Sequence, residues 1–186
     1  MRSHLRSLLW GSMALACSGA AADQTSPALV KLFEGLRSST GPQQAETFEQ
    51  KIWQLWLEGS PSDTGDQLQS ARAAMSAGDL SQAAVLLDDL VKRSPHFAEV
   101  WNQRALLRYL RNDYTRSLAD IEEALSLEPH HFGALAGRGQ CYLRLKNFEE
   151  ALTAFEAASA IHPWLPDVQR NIEMLRVYLN DINRGI

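Results

Sequence analysis

The residues of this chain that could do chemistry are a few histidines, two cysteines and two acidic pairs. His130 follows His96 by a 34-residue step, His131 is adjacent, and Cys141 lies further along the chain. Zinc needs imidazole or thiolate ligands that converge on one point. The step places His96 and His130 on successive structural units, too far apart to share an ion. We therefore expect these histidines to lie in the loops between helices. We expect the protein to bind neither a metal ion nor a cofactor.

The acidic pairs do not indicate catalysis either. Asp88-Asp89 and Glu122-Glu123 fall in stretches with helical periodicity, where adjacent side chains project about 100° apart and do not converge on one atom. The chain contains no nucleophile elbow, phosphate loop, H-E-x-x-H sequence or dinucleotide-binding glycine pattern. The sequence predicts a protein that is not an enzyme and has no small-molecule substrate.

Composition and charge narrow the class further. The 186 residues are 45% hydrophobic and 22% charged, which is typical of a folded globular chain. There are 18 Lys and Arg against 22 Asp and Glu, a net charge of −4, with no polybasic block. Nucleic acid is therefore not an expected partner.

The N-terminus has the layout of a secretory signal peptide. Arg2 and Arg6 precede an apolar run, small residues follow, and no acidic residue occurs before Asp23. We predict cleavage after Ala22 and export to a bacterial periplasm, or secretion. A lipoprotein anchored to the membrane through Cys17 is the alternative, and an organelle transit peptide is a weaker third reading.

An internal repeat organises most of the remaining chain. Prolines recur with a 34-residue period, and small, apolar and turn-forming residues keep the same step. The members are Pro61, Pro95, Pro129 and Pro163; Ala83, Ser117 and Ala151; Leu87, Ile121 and Phe155; and the pairs Gly78-Asp79, Asn112-Asp113 and Lys146-Asn147. Each unit reads as two helices, A and B, ended by a proline.

The periodicity predicts an all-α stack. The A helices are expected at 64–77, 98–110 and 132–144, and the B helices at 80–93, 114–127 and 148–161. The three units then span 64–97, 98–131 and 132–165. Residues 27–58 are predicted to form an N-terminal helical cap or a degenerate repeat, and 166–183 a C-terminal capping helix.

These spacings resemble the tetratricopeptide repeat (TPR) family. The third unit carries the family pattern best, in Leu135, Gly139, Tyr142, Ala151, Phe155 and Pro163. The resemblance implies an α-α superhelix that binds proteins. A narrower resemblance, carried by segments at 52–56, 98–105, 117–121 and 127–135, is to exported proteobacterial TPR proteins of unassigned activity.

The resemblance also implies where a partner binds, because A helices line the concave groove of TPR proteins. The groove residues would be Arg72, Met75, Glu99, Asn102, Leu106, Tyr109, Leu110, Gly133, Gly137, Gln140, Leu143 and Arg144. We expect a peptide with apolar anchors and a carboxylate. The clamp with which one TPR subgroup grips chaperone tails is absent, because its places hold Leu68, Arg72, Gln103, Gly133 and Gly137.

Three details of the units call for a physical reason. Gly133 and Gly137 are not required by the family pattern, so either a partner approaches there or the preceding A helix crowds them. Gly139 is expected to be a packing glycine. Arg104 occupies a place where leucine is common, and we expect either Asp120 or a ligand carboxylate to pair with it.

The sequence supports two classes of function. The first is a non-enzymatic scaffold or assembly factor that holds a partner segment in its groove. The second is a permanent structural or regulatory subunit of an envelope complex, anchored through Trp53, Trp56 and Trp164. A ligand- or metal-sensing role is the third reading.

Overall fold

The computed structural model describes residues 27–57 and 63–185, so the predicted leader, Cys17 and Pro61 lie outside the described residues. Within these ranges the structure is all-α. In chain order the helices are α1 (Pro27–Arg37), α2 (Pro42–Leu57), α3 (Thr64–Ser76), α4 (Leu80–Arg93), α5 (Ala98–Leu110), α6 (Tyr114–Leu127), α7 (Phe132–Arg144), α8 (Phe148–Ile161) and α9 (Pro166–Arg184). The bounds predicted for the helices of the repeats agree closely with these.

The helices of the repeats stack as a superhelix. Helices α3, α5 and α7 are the A helices, and each packs against the B helix that follows it. Successive A helices also contact each other directly, α3 with α5 and α5 with α7, which places them on the inner side of the curve. Helix α9 packs against α8 and continues the series at the same interval.

The turn inside each repeat has one construction. The first residue of each predicted turn pair is left-handed, with φ of 80° at Gly78, 60° at Asn112 and 63° at Lys146. The amide of the next residue donates back five residues into the A helix, and the left-handed residue donates back three, which is a Schellman ending. Because each B helix begins directly afterwards, every A–B pair forms a closed hairpin.

Gly139 allows α7 to pack closely against its own B helix, α8. A Cβ atom at this position would lie 2.6 Å from the ring of Phe155, and that ring is fully buried. The predicted packing role of Gly139 is confirmed.

The N-terminal hairpin α1–α2 lies along the edge of the stack where B helices end and the next A helices begin. Trp56 stacks on His131 with ring centroids 4.7 Å apart, and its Nε1 donates to Glu128 at 3.2 Å. Phe33 contacts His130, and Trp164 donates through Nε1 to the carbonyl of Ser39. The hairpin is thus held by the junctions that precede α7 and α9.

Two histidines join these junctions to buried or half-buried carboxylates. His131 Nδ1 accepts the amide of Ala134 at 3.2 Å, and its Nε2 lies 3.1 Å from Glu99 Oε2. His162 Nδ1 accepts the amide of Trp164 at 3.3 Å, and its Nε2 lies 3.2 Å from Glu49 Oε2. Because both Nδ1 atoms accept, each ring carries its proton on Nε2 and donates it to the carboxylate.

Two aromatic side chains at this edge are more deeply buried than the sequence suggested. His131 lies between helices, as expected, but it is fully buried and caps α7. Trp56 is 1% exposed, so its expected use as an anchor for a permanent partner is wrong. Both side chains pack between the N-terminal hairpin and the repeats. The 34-residue pattern does not predict this contact.

Glu99 is the charged centre of this packing. Its carboxylate is 2% exposed and accepts hydrogen bonds from Arg72, Asn102, Gln103 and His131. Burial raises the pKa of Glu99, but the bond from His131 and the charge of Arg72 outweigh it, so the pKa lies below its usual value of 4.5. The pKa of Glu49 is also lowered, chiefly by its hydrogen bond from His162.

Glycine substitutions within α7 test the packing of the repeats. We expect Gly139→Ala to lower the free energy of unfolding by about 1–3 kcal/mol, because the added methyl overlaps the buried Phe155 ring. The matched control is Gly137→Ala in the same helix, where the nearest atom, Ile121 Cδ1, is 3.6 Å from the new Cβ. That control should be neutral or stabilising, since alanine favours a helix. Urea unfolding measures both, and equal effects would contradict the packing role of Gly139.

Glu99→Gln tests the buried carboxylate. At pH 7 we expect the free energy of unfolding to fall by about 1–3 kcal/mol, because Arg72 and His131 lose their charged acceptor. A carboxyl whose folded pKa is lowered stabilises the fold above its unfolded pKa, and this contribution disappears as the pH falls through the folded value. The gap between wild type and variant should therefore narrow below pH 4.5.

Urea titrations from pH 7 to pH 3 measure this gap. Glu123→Gln, on the exposed face of α6, is the control and should follow wild type throughout. A gap for Glu99→Gln that stays constant with pH would show that the carboxylate charge is not what stabilises the junction.

Candidate functional site

A small cavity opens on the inner face between α5, α6 and α7. Its volume is about 170 Å³. The residues that line it are Asn102, Ala105, Leu106, Tyr109, Ser117, Ile121, Gly133, Gly137 and Gln140. Six of the twelve predicted groove residues are in this set: Asn102, Leu106, Tyr109, Gly133, Gly137 and Gln140. We refer to this space as the α5–α7 cavity.

The cavity exists because α7 carries glycine where a side chain would fill the space. A Cβ atom at Gly133 would lie 3.4 Å from His131 and 3.6 Å from Asn102, and one at Gly137 would meet only Ile121, at 3.6 Å. The 3.6 Å from a Cβ atom at Gly137 to Ile121, on the B helix α6, is an ordinary van der Waals distance. The 3.6 Å from a Cβ atom at Gly133 to Asn102, on the preceding A helix α5, is also ordinary. Crowding by the preceding A helix therefore does not demand glycine at either position.

The floor of the cavity is tied together by a short chain of hydrogen bonds. The Cys141 thiol donates to Ser117 Oγ at 3.2 Å, and Ser117 donates to the carbonyl of Ala105 at 2.7 Å. Burial raises the pKa of the Cys141 thiol despite the bond to Ser117, so the thiol stays protonated. The side chain of Cys141 is structural here, and the walls above it are mostly apolar.

Arg72, Met75 and Glu99 do not line the α5–α7 cavity. Arg72 and Glu99 border a second cleft, next to Trp53 and Leu68, where the guanidinium of Arg72 lies 5.8 Å from the centre of the Trp53 ring. Met75 is buried in the core. The predicted groove residues therefore do not form one site: six line the cavity, two border the second cleft and Met75 lies in the core.

Two of the groove side chains that could donate to a ligand carboxylate, Arg72 and Asn102, already have a carboxylate acceptor within the protein. Both Arg72 and Asn102 donate to Glu99. Arg104, the other candidate, makes two bonds to Asp120, at 2.8 and 3.0 Å, and a third to Asp88. The predicted Arg104–Asp120 pair is confirmed.

The remaining predicted residues lie toward the C-terminal ends of α5 and α7. Leu110 is exposed, and Leu143 is half-buried against the core. Arg144 is exposed and donates through Nε to Tyr109 Oη at 2.9 Å, a bond that raises the pKa of Arg144. The ring of Tyr109 also packs on Tyr114, with centroids 5.5 Å apart. Tyr109 therefore forms a fixed wall between the cavity and Arg144.

The prediction of the site missed the exposed apolar residues of α9. Met174, Val177, Tyr178 and Ile182 are between 44% and 58% exposed. The signal was present in the repeat, because Leu106, Gln140 and Met174 occupy the same place in successive units, as do Tyr109, Leu143 and Val177. Equivalent positions of successive A helices share one face, so these α9 residues continue the inner surface.

The described residues contain no group of three or more His, Cys, Asp or Glu side chains that could hold a metal ion. Within the same part of the chain, no helix is both long and apolar enough to cross a bilayer.

Comparisons with known proteins agree with this architecture. The sequence profile described as tetratricopeptide repeat matches residues 68–125 and 103–163. A TPR repeat-containing protein of Rhizobium etli is 31% identical over 147 residues, which cover 79% of this chain and 72% of the relative.

Two solved structures share the fold at low sequence identity. One is the first TPR of Spaghetti (RPAP3) bound to the HSP90 peptide SRMEEVD, with a TM-score of 0.60 and 15% identity over 63% of this chain and 94% of that one. The other is the Sgt2 TPR domain from Aspergillus fumigatus, with a TM-score of 0.61 and 19% identity over 67% and 84%. By its repeats, its superhelix and these matches, the chain belongs to the tetratricopeptide repeat family.

Proposed function

We propose that this chain is a non-enzymatic scaffold or assembly factor that acts after export and binds a polypeptide segment of its partner on the inner face of the repeats. The observation that carries the proposal is the α5–α7 cavity, which glycine keeps open at Gly133 and Gly137 although a methyl group would fit at Gly137. The TPR family and fold are generally protein-interaction modules, which supports binding of a protein rather than catalysis.

The size and lining of the cavity favour one apolar side chain as the anchor. An apolar cavity of about 150 Å³ accommodates benzene, and the α5–α7 cavity has about 170 Å³. A phenyl or isobutyl group therefore fits between Leu106, Tyr109 and Ile121. At the cavity walls, the side-chain amide of Gln140 and the Oδ1 atom of Asn102, whose Nδ2 donates to Glu99, offer hydrogen bonds to the partner's backbone.

The partner chemistry differs from that of an acidic chaperone tail. In the Spaghetti structure the bound peptide is SRMEEVD. In this chain Arg72 and Asn102 already hold the internal carboxylate of Glu99, so the anchor we propose is apolar. Three tryptophans were expected to anchor a permanently bound subunit. Trp56 is buried, Trp53 is partly buried against the core and Trp164 is 37% exposed, which leaves that alternative with fewer surface anchors.

The location that we propose rests on the leader. Its arginines, apolar run and small residues favour export to a periplasm, with Asp23 as the mature N-terminus. Intact mass of the protein purified from its native envelope tests this, because retention of Cys17 with an acyl group would identify a lipoprotein instead.

Site-specific photo-crosslinking in the native envelope tests the groove. A photoreactive phenylalanine at Leu106, on the cavity wall, should capture a partner that mass spectrometry identifies. The same probe at Val85, exposed on α4 and away from the cavity, is the control and should not capture it.

Gly137→Leu should reduce the capture from Leu106 at least tenfold, because the new side chain fills the cavity while helicity is retained. Gly137→Ala should leave capture near wild type, and the triple variant Asn102→Ala, Tyr109→Ala, Arg144→Ala should also lose it. Equal capture by wild type and Gly137→Leu would refute the cavity as the anchor site.

A further inference from the structure

By repeat register, the exposed residues Met174, Val177 and Tyr178 of α9 extend the surface onto which the cavity opens. Three sets of positions, each advancing by one repeat, connect α5 to α9 through α7. The sets are Leu106, Gln140 and Met174; Tyr109, Leu143 and Val177; and Leu110, Arg144 and Tyr178. Apolar side chains occupy both ends of every set, and the polar ones, Gln140 and Arg144, are on α7. We refer to this surface as the inner strip.

The apolar residues that α9 contributes to the inner strip are distinct from those it buries against α8, and they are not on the face that would pack against a following B helix. Val168, Ile172 and Leu175 bury their side chains, with α8 as the packing partner. The position equivalent to Gly139 is Glu173, so the face that would pack on a following B helix is polar and exposed. In the repeat register, the exposed residues Met174, Val177 and Tyr178 therefore lie on the face that α9 shares with the groove, where an exposed apolar patch indicates a binding surface.

Arg144 supplies a charge in the middle of the inner strip. Its side chain is exposed, and among the residues that the structure describes it contacts Tyr109, through a hydrogen bond and through the ring face, and no carboxylate. Apolar neighbours flank it in the repeat register, Leu110 before and Tyr178 after. A partner that covers the strip complements this charge if it places an acidic residue between two apolar ones.

From this we propose that the partner segment binds extended across α5, α7 and α9 and carries an apolar, an acidic and a second apolar residue at alternate positions. The proposal rests on the proposed function and specifies its partner. The first apolar residue occupies the α5–α7 cavity, the acidic residue pairs with Arg144, and the second apolar residue packs on Met174 and Val177.

The alternate spacing follows from dimensions. Helices α5 and α7 contact each other, and α9 packs on α8. If α9 follows α7 at the spacing of packed helices, about 8–10 Å, a point between α5 and α7 would lie roughly 12–15 Å from α9. An extended chain advances about 3.3 Å per residue, and residues i, i+2 and i+4 point to the same side. Four steps cover about 13 Å, so side chains at i, i+2 and i+4 match the cavity, Arg144 and α9.

A palindromic peptide tests this in whichever direction the segment binds. The probe is fluorescein-labelled Gly-Ser-Phe-Ser-Asp-Ser-Phe-Ser-Gly, and the measurement is fluorescence anisotropy with the purified full chain at low salt. We expect saturable binding that weakens about tenfold when either phenylalanine is replaced by alanine, since each anchor buries one large apolar side chain.

Variants of the protein assign each contact. Gly137→Leu and the double variant Met174→Ser, Val177→Ser should each weaken binding about tenfold, and Val85→Ser, an equally exposed change on α4, should not. Arg144→Glu should weaken it about threefold at low salt and less at high salt, because the pair is exposed. The Asp→Lys peptide should bind Arg144→Glu better than it binds wild type.

The outcomes separate this inference from the proposed function. Peptide binding that depends on Gly137 but not on Arg144 or α9 would overturn the proposal that the segment binds along the inner strip. It would still support the cavity as the anchor site. Failure of the peptide to bind at millimolar concentration, with photo-crosslinking from Leu106 intact, would overturn the sequence pattern alone. A dimer in sedimentation that Met174→Ser, Val177→Ser dissociates would show that a second copy covers α9, which also overturns the inference.

Discussion

The buried carboxylate of Glu99 is the constraint on which the arrangement of this molecule depends. A charge with 2% exposure is tolerated only when donors surround it, and here the donors come from α3, from α5 and from the junction before α7. The ring of His131, fixed by Glu99, is in turn the surface on which Trp56 of the N-terminal hairpin stacks. One carboxylate thus sets the relative positions of two repeats and of the element that covers their edge.

The same constraint decides what kind of ligand the inner face can bind. Arg72 and Asn102 have the chemistry of a carboxylate-binding pair, but their hydrogen bonds go to Glu99. What remains open is the apolar space beside Gly137, together with an arginine at the end of α7 that contacts no carboxylate of the described residues. Because Glu99 occupies Arg72 and Asn102, we expect the inner face to bind apolar side chains of a partner in preference to an acidic chain end.

The parts of the structure that repeat could be predicted from the sequence, and the parts that do not repeat could not. The helix bounds, the left-handed turns at Gly78, Asn112 and Lys146 and the packing of Gly139 all depend on neighbours within one 34-residue unit, so the pattern contains them. The Arg104–Asp120 pair was predictable for the same reason. The contact of Trp56 with His131 joins residues that share no register, and periodicity carries no information about it. The role of Arg72 escaped prediction because it depends on a carboxylate from the next repeat.

The position of the hairpin has a consequence for the order in which the chain can fold. Helices α1 and α2 emerge before the other described helices, from the ribosome or, with the proposed export, across the membrane. The side chains that hold them, at Glu128, His131 and His162, follow 70 to more than 100 residues later. The repeats gain their contacts locally and can form as each unit emerges, whereas closure of long loops is slow. Trp56 and Phe33 are consequently left without their native cover for most of synthesis. During that interval the N-terminal segment is the part of the nascent protein that most needs shielding from aggregation.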